Sequence, residues 1–290
     1  MKQKKSTKIL YAIWFFTAIL AAVLTAGAII TDYDNDANYF LESAPVFWAA
    51  LIFVGISLIS GIAAEISTDI ASIRKSPFSK KPVFLPSSLC FAVMIVALNV
   101  QSLEGKTISN LITFIFTVLS LAIALFYSII SGQPQKIEQK PMQVAGFGLF
   151  AILAPLFVNI HFYFDVSVEM NAPLKLFVQI GLLLAMLYYT SELRYLLEKP
   201  TPRLFLMLST ATVSVGSLCA LSLFVALITS RLPRLDYLAG AIVVIGVMIT
   251  ALIRMASLLS PEPTVSEDTT ASDAQIPDSP NSFDDPSENI

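Results

Sequence analysis

The sequence predicts an all-α, polytopic membrane helix bundle, and two observations carry that prediction. Hydrophobic residues make up 56% and charged residues 13% of the 290 residues, with a mean hydropathy of +0.74. A soluble domain carries about 25% charged residues, so this chain lacks the polar side chains to cover a soluble surface. Its apolar residues also fall in long runs, and within lipid only a helix satisfies its backbone hydrogen bonds locally.

Eight segments reach the roughly 20 apolar residues that a transmembrane helix needs. They lie at about residues 9–30, 45–66, 83–102, 108–131, 142–163, 173–197, 204–229 and 237–259. The first follows the basic stretch MKQKKSTK, but its apolar run is longer than the roughly 7–15 residues of a signal-peptide core. We therefore predict eight helices, the first of them uncleaved.

The orientation of these helices follows from where lysine and arginine collect, because cytoplasmic loops carry an excess of both. With the N-terminus inside, fourteen of the eighteen basic residues fall on the inner side, and the outer side keeps Lys106, Lys175, Arg231 and Arg234. We predict an N-in/C-in protein of the plasma (cytoplasmic) membrane, most simply a bacterial one.

A spacing shared by two segments predicts an internal repeat. The outer motifs ESAP and EMNAP each lead into a span that ends near a glutamate, Glu65 or Glu192, at an offset of 127 residues. We predict a first four-helix half, 1–131, a cytoplasmic linker loop, 132–141, and a second four-helix half, 142–259. An even number of spans per half makes the copies parallel, as in some transporters.

The C-terminal segment differs from the rest in composition. After residue 259 there are eight acidic residues and no lysine or arginine, among many Pro, Ser and Thr residues. Such a segment has too little apolar surface to fold alone, so 260–290 is predicted to be a disordered acidic cytoplasmic tail. Solubilising the protein, spacing and binding a partner remain open as its role.

Small residues indicate where helices approach closely. The seventh span contains STATVSVGS, Ser209–Ser217, whose hydroxyls and small volumes suit tight packing and interhelical hydrogen bonds. We interpret Gly55, Gly61, Gly240 and Gly246 as packing notches, since they form no phosphate-binding pattern.

The arrangement of ionisable residues argues against catalysis. No Asp, Glu, Lys, Arg or His falls in the central turns of a predicted span, and His161 is the one histidine. We expect Glu192 to project into the cytoplasm, Arg194 to pair with Glu198, and Arg254 to extend to the membrane surface. The sequence therefore predicts no enzyme activity, no catalytic residue, no cofactor and no metal site.

Neutral polar residues form the one candidate ligand site. Pro155 should kink the fifth span, because it cannot donate to the helical ladder. The amides and the histidine in the predicted outer half of the bundle are Asn99, Gln101, Asn110, Asn159, His161 and Gln179. Together they predict an outward-facing pocket for a small polar solute, although the same side chains also suit the bonding of loops and helix ends.

Three function classes follow from these features. The first is a small-solute transporter or permease-like protein, and the second a noncatalytic membrane subunit or sensor that binds a membrane or cytoplasmic partner protein. An intramembrane enzyme is the third, disfavoured by the missing catalytic residues. The basic cytoplasmic loops should attract anionic lipid headgroups of the bilayer, and their clusters are too small to indicate nucleic-acid binding.

Overall fold

The computed structural model describes residues 5–34, 37, 39–41, 43–74, 76–78, 84–103, 111–164, 172–231 and 235–260. These residues form helices α1 (Lys5–Thr31), α2 (Pro45–Ser67), α3 (Phe84–Leu103), α4 (Leu111–Ser131), α5 (Pro134–Gln139), α6 (Pro141–Tyr163), α7 (Pro173–Leu196), α8 (Pro202–Ile228) and α9 (Leu235–Leu259). Two short strands, β1 (Tyr33–Asp34) and β2 (Tyr39–Phe40), pair antiparallel between α1 and α2.

The chain is an all-α, multi-pass membrane protein, as its composition predicts. Among the described residues, seven helices, α1, α2, α4 and α6 to α9, are long and apolar enough to cross a membrane. Each of the eight predicted segments falls on a helix. For α3, the described apolar stretch is the shorter Ser87–Val96, so its crossing of the membrane stays a prediction.

Proline fixes where many of these helices begin. The helices α2, α5, α6, α7 and α8 each have proline in the first turn. There its missing N–H removes no helical hydrogen bond and its fixed φ already suits a helix. Residues 134–139 of the predicted linker 132–141 form the short helix α5, and the division of the chain into two halves stays a prediction. Within α6, the helix continues through Pro155, which is buried.

Helices α8 and α9 lie at the centre of the bundle. The helix α8 packs against α1, α2, α7 and α9, while α9 also packs against α3 and α7. The approach is close where glycine faces a neighbour: a Cβ at Gly246 would lie 2.6 Å from Cys90 Cβ, and one at Gly216 would lie 2.9 Å from Met248 Cβ. A Cβ at Gly240 would lie 2.5 Å from Phe162 Cε2, and one at Gly61 would lie 3.1 Å from Trp14 Cδ1. A Cβ at Gly55 would have nothing within 4 Å, so the interpretation of Gly55 as a packing notch is wrong.

A buried hydroxyl network joins the α1/α2 hairpin to α8. The Trp14 indole N–H donates to Ser214 Oγ at 2.9 Å, and the hydroxyls of Ser57 and Ser214 lie 2.9 Å apart. All three side chains are buried. This confirms that the small, hydroxyl-bearing stretch of α8 serves close packing and interhelical hydrogen bonding.

The contacts define two ends of the bundle. At the first, which we call the Lys5 end, α1 begins and α2, α4, α7 and α9 finish; Thr7 Oγ1, for example, donates to Ser67 O at 3.1 Å. At the opposite end, the Tyr33 end, Arg231 after α8 donates to the carbonyls of Ile29 and Tyr33. Burial raises the pKa of the Tyr33 hydroxyl there to about 12.

Helices of the two predicted halves interleave in the bundle. The α1/α2 hairpin packs on α8, whereas α3 packs on α9 and α4 packs on α6. At the 127-residue offset, α2 corresponds to α7: α2 packs on α1 and α8, whereas α7 packs on α6, α8 and α9. The tandem duplication itself stays a prediction from the sequence.

Candidate functional site

A buried ion pair joins α7 to α9 at the Lys5 end. Arg254 Nε lies 3.3 Å from Glu192 Oε1, and each side chain is 1% exposed. Glu192 lies on the last turns of α7, and Arg254 lies on the penultimate turn of α9. Charged side chains at this depth are rare in membrane helices and mark functional sites by default.

Arg254 also connects α9 to two further elements. Its Nη2 donates to the carbonyl of Ser131 at 2.9 Å and lies 3.2 Å from the Ser131 hydroxyl, at the end of α4. Its guanidinium carbon lies 4.6 Å from the ring centroid of Phe78, in the α2–α3 connection. One side chain therefore links α9 to α4, α7 and this connection.

Tyrosines enclose the carboxylate of Glu192. Tyr188, one turn earlier on α7, and Tyr127 from α4 both lie beside it, and both are buried. Gly148 on α6 gives Tyr127 its space, because a Cβ there would lie 3.1 Å from Tyr127 Cε2. We call Glu192, Arg254, Tyr127, Tyr188 and Ser131 the buried charge cluster.

The buried charge cluster leaves hydrogen-bonding capacity unused. Among the described residues, neither carboxylate oxygen of Glu192 has a partner of full hydrogen-bond geometry, and the same holds for Arg254 Nε and Nη1. The contact between Glu192 and Arg254 is thus a charge contact at 3.3 Å, without the alignment of a hydrogen bond. Buried polar atoms without a hydrogen-bond partner do not stabilise a fold, so their presence here needs another explanation.

A second carboxylate is buried at the same end. Glu65, near the end of α2, is 0% exposed, and neither oxygen has a hydrogen-bond partner within the described part of the chain. The Tyr11 hydroxyl of α1 lies near it, 3.3 Å from Thr68 Oγ1. Glu65 and Glu192 are the two residues at the predicted repeat offset, and both are buried.

The α2–α3 connection covers this end of the bundle. The backbone N–H of Arg74 donates to Leu258 O at 3.1 Å, and Arg74 Nε donates to Ser260 O at 3.0 Å. A cation beside the unpaired carbonyls at the end of a helix is favourable, so Arg74 fixes the connection to the end of α9. Phe78 of the same connection lies over Arg254.

The candidate pocket residues are placed only in part. Asn159 and His161 lie on α6 and Gln179 lies on α7, two helices that pack together, and all three are partly exposed. Asn110 lies outside the described residues, as do the side chains of Asn99 and Gln101 on α3. The pocket therefore stays a prediction.

Two expectations about charged residues are wrong. Glu192 does not project into the cytoplasm, and Arg254 does not extend to the membrane surface, because each is 1% exposed. Arg194 and Glu198 are exposed, and Glu198 ends α7 with a left-handed φ of 57°. The sequence carried no signal for this burial: Glu192 follows Tyr188 and Tyr189 on the buried face of α7, but the exposed face, with Leu176, Ile180, Leu183 and Leu187, is also apolar.

No protein-family model, no curated protein and no solved structure matches this chain.

The buried charge cluster can form and break a contact between helix ends. A charge pair is strong in a dry, low-dielectric site and weak once water enters. Its two partners come from different helices, so separating α7 from α9 breaks it. The arrangement can therefore hold this end of the bundle closed and release it when the cluster is hydrated.

Proposed function

We propose that the protein is a membrane transporter for a small polar solute and that the buried charge cluster closes one end of its pathway. The observation that carries the proposal is the Glu192–Arg254 pair, buried at 1% exposure yet incompletely hydrogen-bonded. Intramembrane charges of this kind accompany substrate and ion pathways. The proposal assigns no catalytic step to the chain.

The position of the pair supports a closing role. It joins the ends of α7 and α9, and Arg254 adds the end of α4, so three helix ends meet through polar contacts. Polar contacts exchange readily with water, whereas apolar packing does not. Water can therefore replace the polar contacts that join these three helix ends.

The predicted pocket lies toward the other end of the same helix. Gln179 precedes Glu192 by 13 residues, about 20 Å along α7. Asn159 and His161 of α6 flank that part of α7, since the two helices pack together. Alternating access requires a site that each side of the membrane reaches in turn, and a closure at the Lys5 end would supply one of the two gates.

We further propose the topology that transport needs. All eight segments span the membrane, both termini lie in the cytoplasm, and the Lys5 end faces the cytoplasm of a bacterial cell. The distribution of fourteen basic residues against four supports this orientation. The shared Glu65 and Glu192 spacing supports tandem four-helix halves within it.

Uptake by the purified full-length chain tests the proposal. In proteoliposomes, we expect accumulation of one class within a panel of isotope-labelled amino acids, sugars and small organic ions. Asn159→Ala and Gln179→Ala should each abolish that uptake without loss of folded protein, because each removes a ligand amide. Gln135→Ala, an exposed amide on α5, is the matched control and should transport normally.

One outcome would contradict the pocket, and another would contradict transport itself. Wild-type uptake by both pocket variants would show that the pocket is elsewhere. The alternative function, a noncatalytic subunit or sensor, predicts instead that no panel member is taken up and that a partner protein co-purifies in stoichiometric amount from native membranes. Mass spectrometry of such a pull-down for both proteins and small molecules separates the two functions.

A further inference from the structure

A groove opens between α4, α5 and α6 at the Lys5 end, outside the buried charge cluster. Its volume is about 330 Å³, at the lower end of the range for small-molecule sites. One side is apolar and consists of Phe126 and Ile130 on α4 with Val144 and Phe147 on α6. These are the ends of two membrane-spanning helices, so the apolar side lies next to the acyl chains.

The two aromatic rings form the exposed part of that apolar side. Phe126 and Phe147 pack edge to face with their centroids 5.0 Å apart, yet they are 48% and 37% exposed. Ile130 and Val144 behind them are buried, at 7% and 3% exposure. The two rings thus form an exposed apolar surface, packed on buried side chains, that an acyl chain lying along the helices can contact.

The other side of the groove is basic and polar. Lys136, Gln139 and Lys140 from α5 and its end, with Gln143 at the start of α6, line it, and all four side chains are exposed. The acidic residue of α5, Glu138, is not among the lining residues. The groove therefore presents two cations and two amides directly beside an apolar surface.

We propose that this groove binds one anionic phospholipid of the adjacent leaflet, with its phosphate against Lys136 and Lys140 and an acyl chain along Phe126 and Phe147. Charge complementarity selects an anion, and basic groups beside a membrane helix attract anionic headgroups. The adjoining apolar rings select an amphiphile over a free anion. A soluble acidic peptide would leave those rings uncovered.

Native mass spectrometry of the full chain, titrated with dioleoyl phosphatidylglycerol or dioleoyl phosphatidylcholine, tests this site. We expect the wild type to retain one phosphatidylglycerol in preference to phosphatidylcholine. The K136Q/K140Q variant should bind phosphatidylglycerol about thirtyfold more weakly and lose the preference, because each of the two cations removed contributes about fivefold. Phe147→Ala should weaken both lipids equally, since it removes only apolar surface.

A second basic pair at the same end provides the matched control. Lys199 and Arg203 are exposed and outside the groove, so K199Q/R203Q should bind phosphatidylglycerol like the wild type. Equal losses in the two double variants would mean nonspecific attraction and would overturn the site. Unchanged binding by K136Q/K140Q would overturn it as well.

Two further measurements distinguish other occupants. Displacement of the lipid by inorganic phosphate at equal concentration would show that the groove recognises a free anion, against the proposal. A full-length variant with the eight acidic residues after residue 259 changed to amides should bind the lipid like the wild type. If only that variant bound lipid, the tail would be the occupant and the proposal would fail.

Discussion

Glu192 and Arg254 stabilise the bundle only as a pair. Removing one partner of a buried ion pair leaves an uncompensated charge and costs about 3–5 kcal/mol, whereas replacing both with apolar residues is often neutral. We expect Arg254→Met to lower the midpoint of thermal unfolding in detergent strongly. The double variant E192L/R254M should recover much of that loss, because no charge is left in the buried site.

Ser131, in the same buried charge cluster, provides a control for Arg254→Met. Ser131→Ala removes the hydroxyl at 3.2 Å from Arg254 Nη2 but keeps the Ser131 carbonyl that accepts at 2.9 Å. Its midpoint should fall far less than that of Arg254→Met. The single variants Glu192→Leu and Arg254→Met complete the comparison, and effects of these two that simply add in E192L/R254M would contradict a coupled pair.

The burial of these two residues was not predictable from hydropathy. A hydropathy window correctly places Glu192 and Arg254 near helix ends. It does not show which residues bury the two side chains there. The cover comes from Ser131 and Phe78, 61 and 114 residues from Glu192 in sequence. Only the packing of α4, α7 and α9 brings them together.

At the scale of the helices, the sequence determined almost every boundary. Apolar runs set the lengths, and proline in the first turn set the beginnings of α2, α6, α7 and α8. The short α5 was not predicted, because its six residues, PQKIEQ, contain a single large apolar side chain, Ile137, and no apolar run. Glycine packing was predicted by residue type alone, so Gly55 and Gly246 could not be distinguished.

Replacing Gly55 or Gly246 with alanine should therefore change the unfolding midpoint in opposite directions. A Cβ at Gly246 would meet Cys90 at 2.6 Å and the backbone Cα of Ser87 at 3.2 Å, and such overpacking costs about 1–3 kcal/mol. A Cβ at Gly55 meets open space, and alanine is the better helix former by about 1 kcal/mol. Gly246→Ala should lower the unfolding midpoint in detergent, and Gly55→Ala should leave it unchanged or raise it.

The comparison of these two variants isolates the contact between α3 and α9. Both replace a helical glycine with alanine in an apolar segment, so they differ mainly in what faces the new methyl group. Midpoints that shift together, in either direction, would show that the close approach of α3 to α9 does not limit stability.

For the whole molecule, the fold class followed from composition, but the arrangement of helices did not. Seven of the predicted spans are helices that can cross a membrane, and their order is that of the sequence. Which helices touch depends on side-chain shape at particular faces, such as the Trp14 contact with Ser214, 200 residues apart. An apolar run does not specify its neighbour in lipid, since lipid itself is an equally apolar neighbour.

The orientation of the whole bundle is the prediction on which transport direction depends. The two ends of α2 provide matched probes, because Ser43 precedes that helix and Ser76 lies in the connection after it, and both are exposed. The helix has 23 residues, about 34 Å, enough to cross a hydrocarbon core of about 30 Å. In a C90A/C219A background, a membrane-impermeant maleimide should label Ser43→Cys in intact cells and Ser76→Cys only after permeabilisation. The reverse pattern would place the Lys5 end, with its buried charge cluster, outside the cell, and labelling of both sites in intact cells would show that α2 does not cross the membrane.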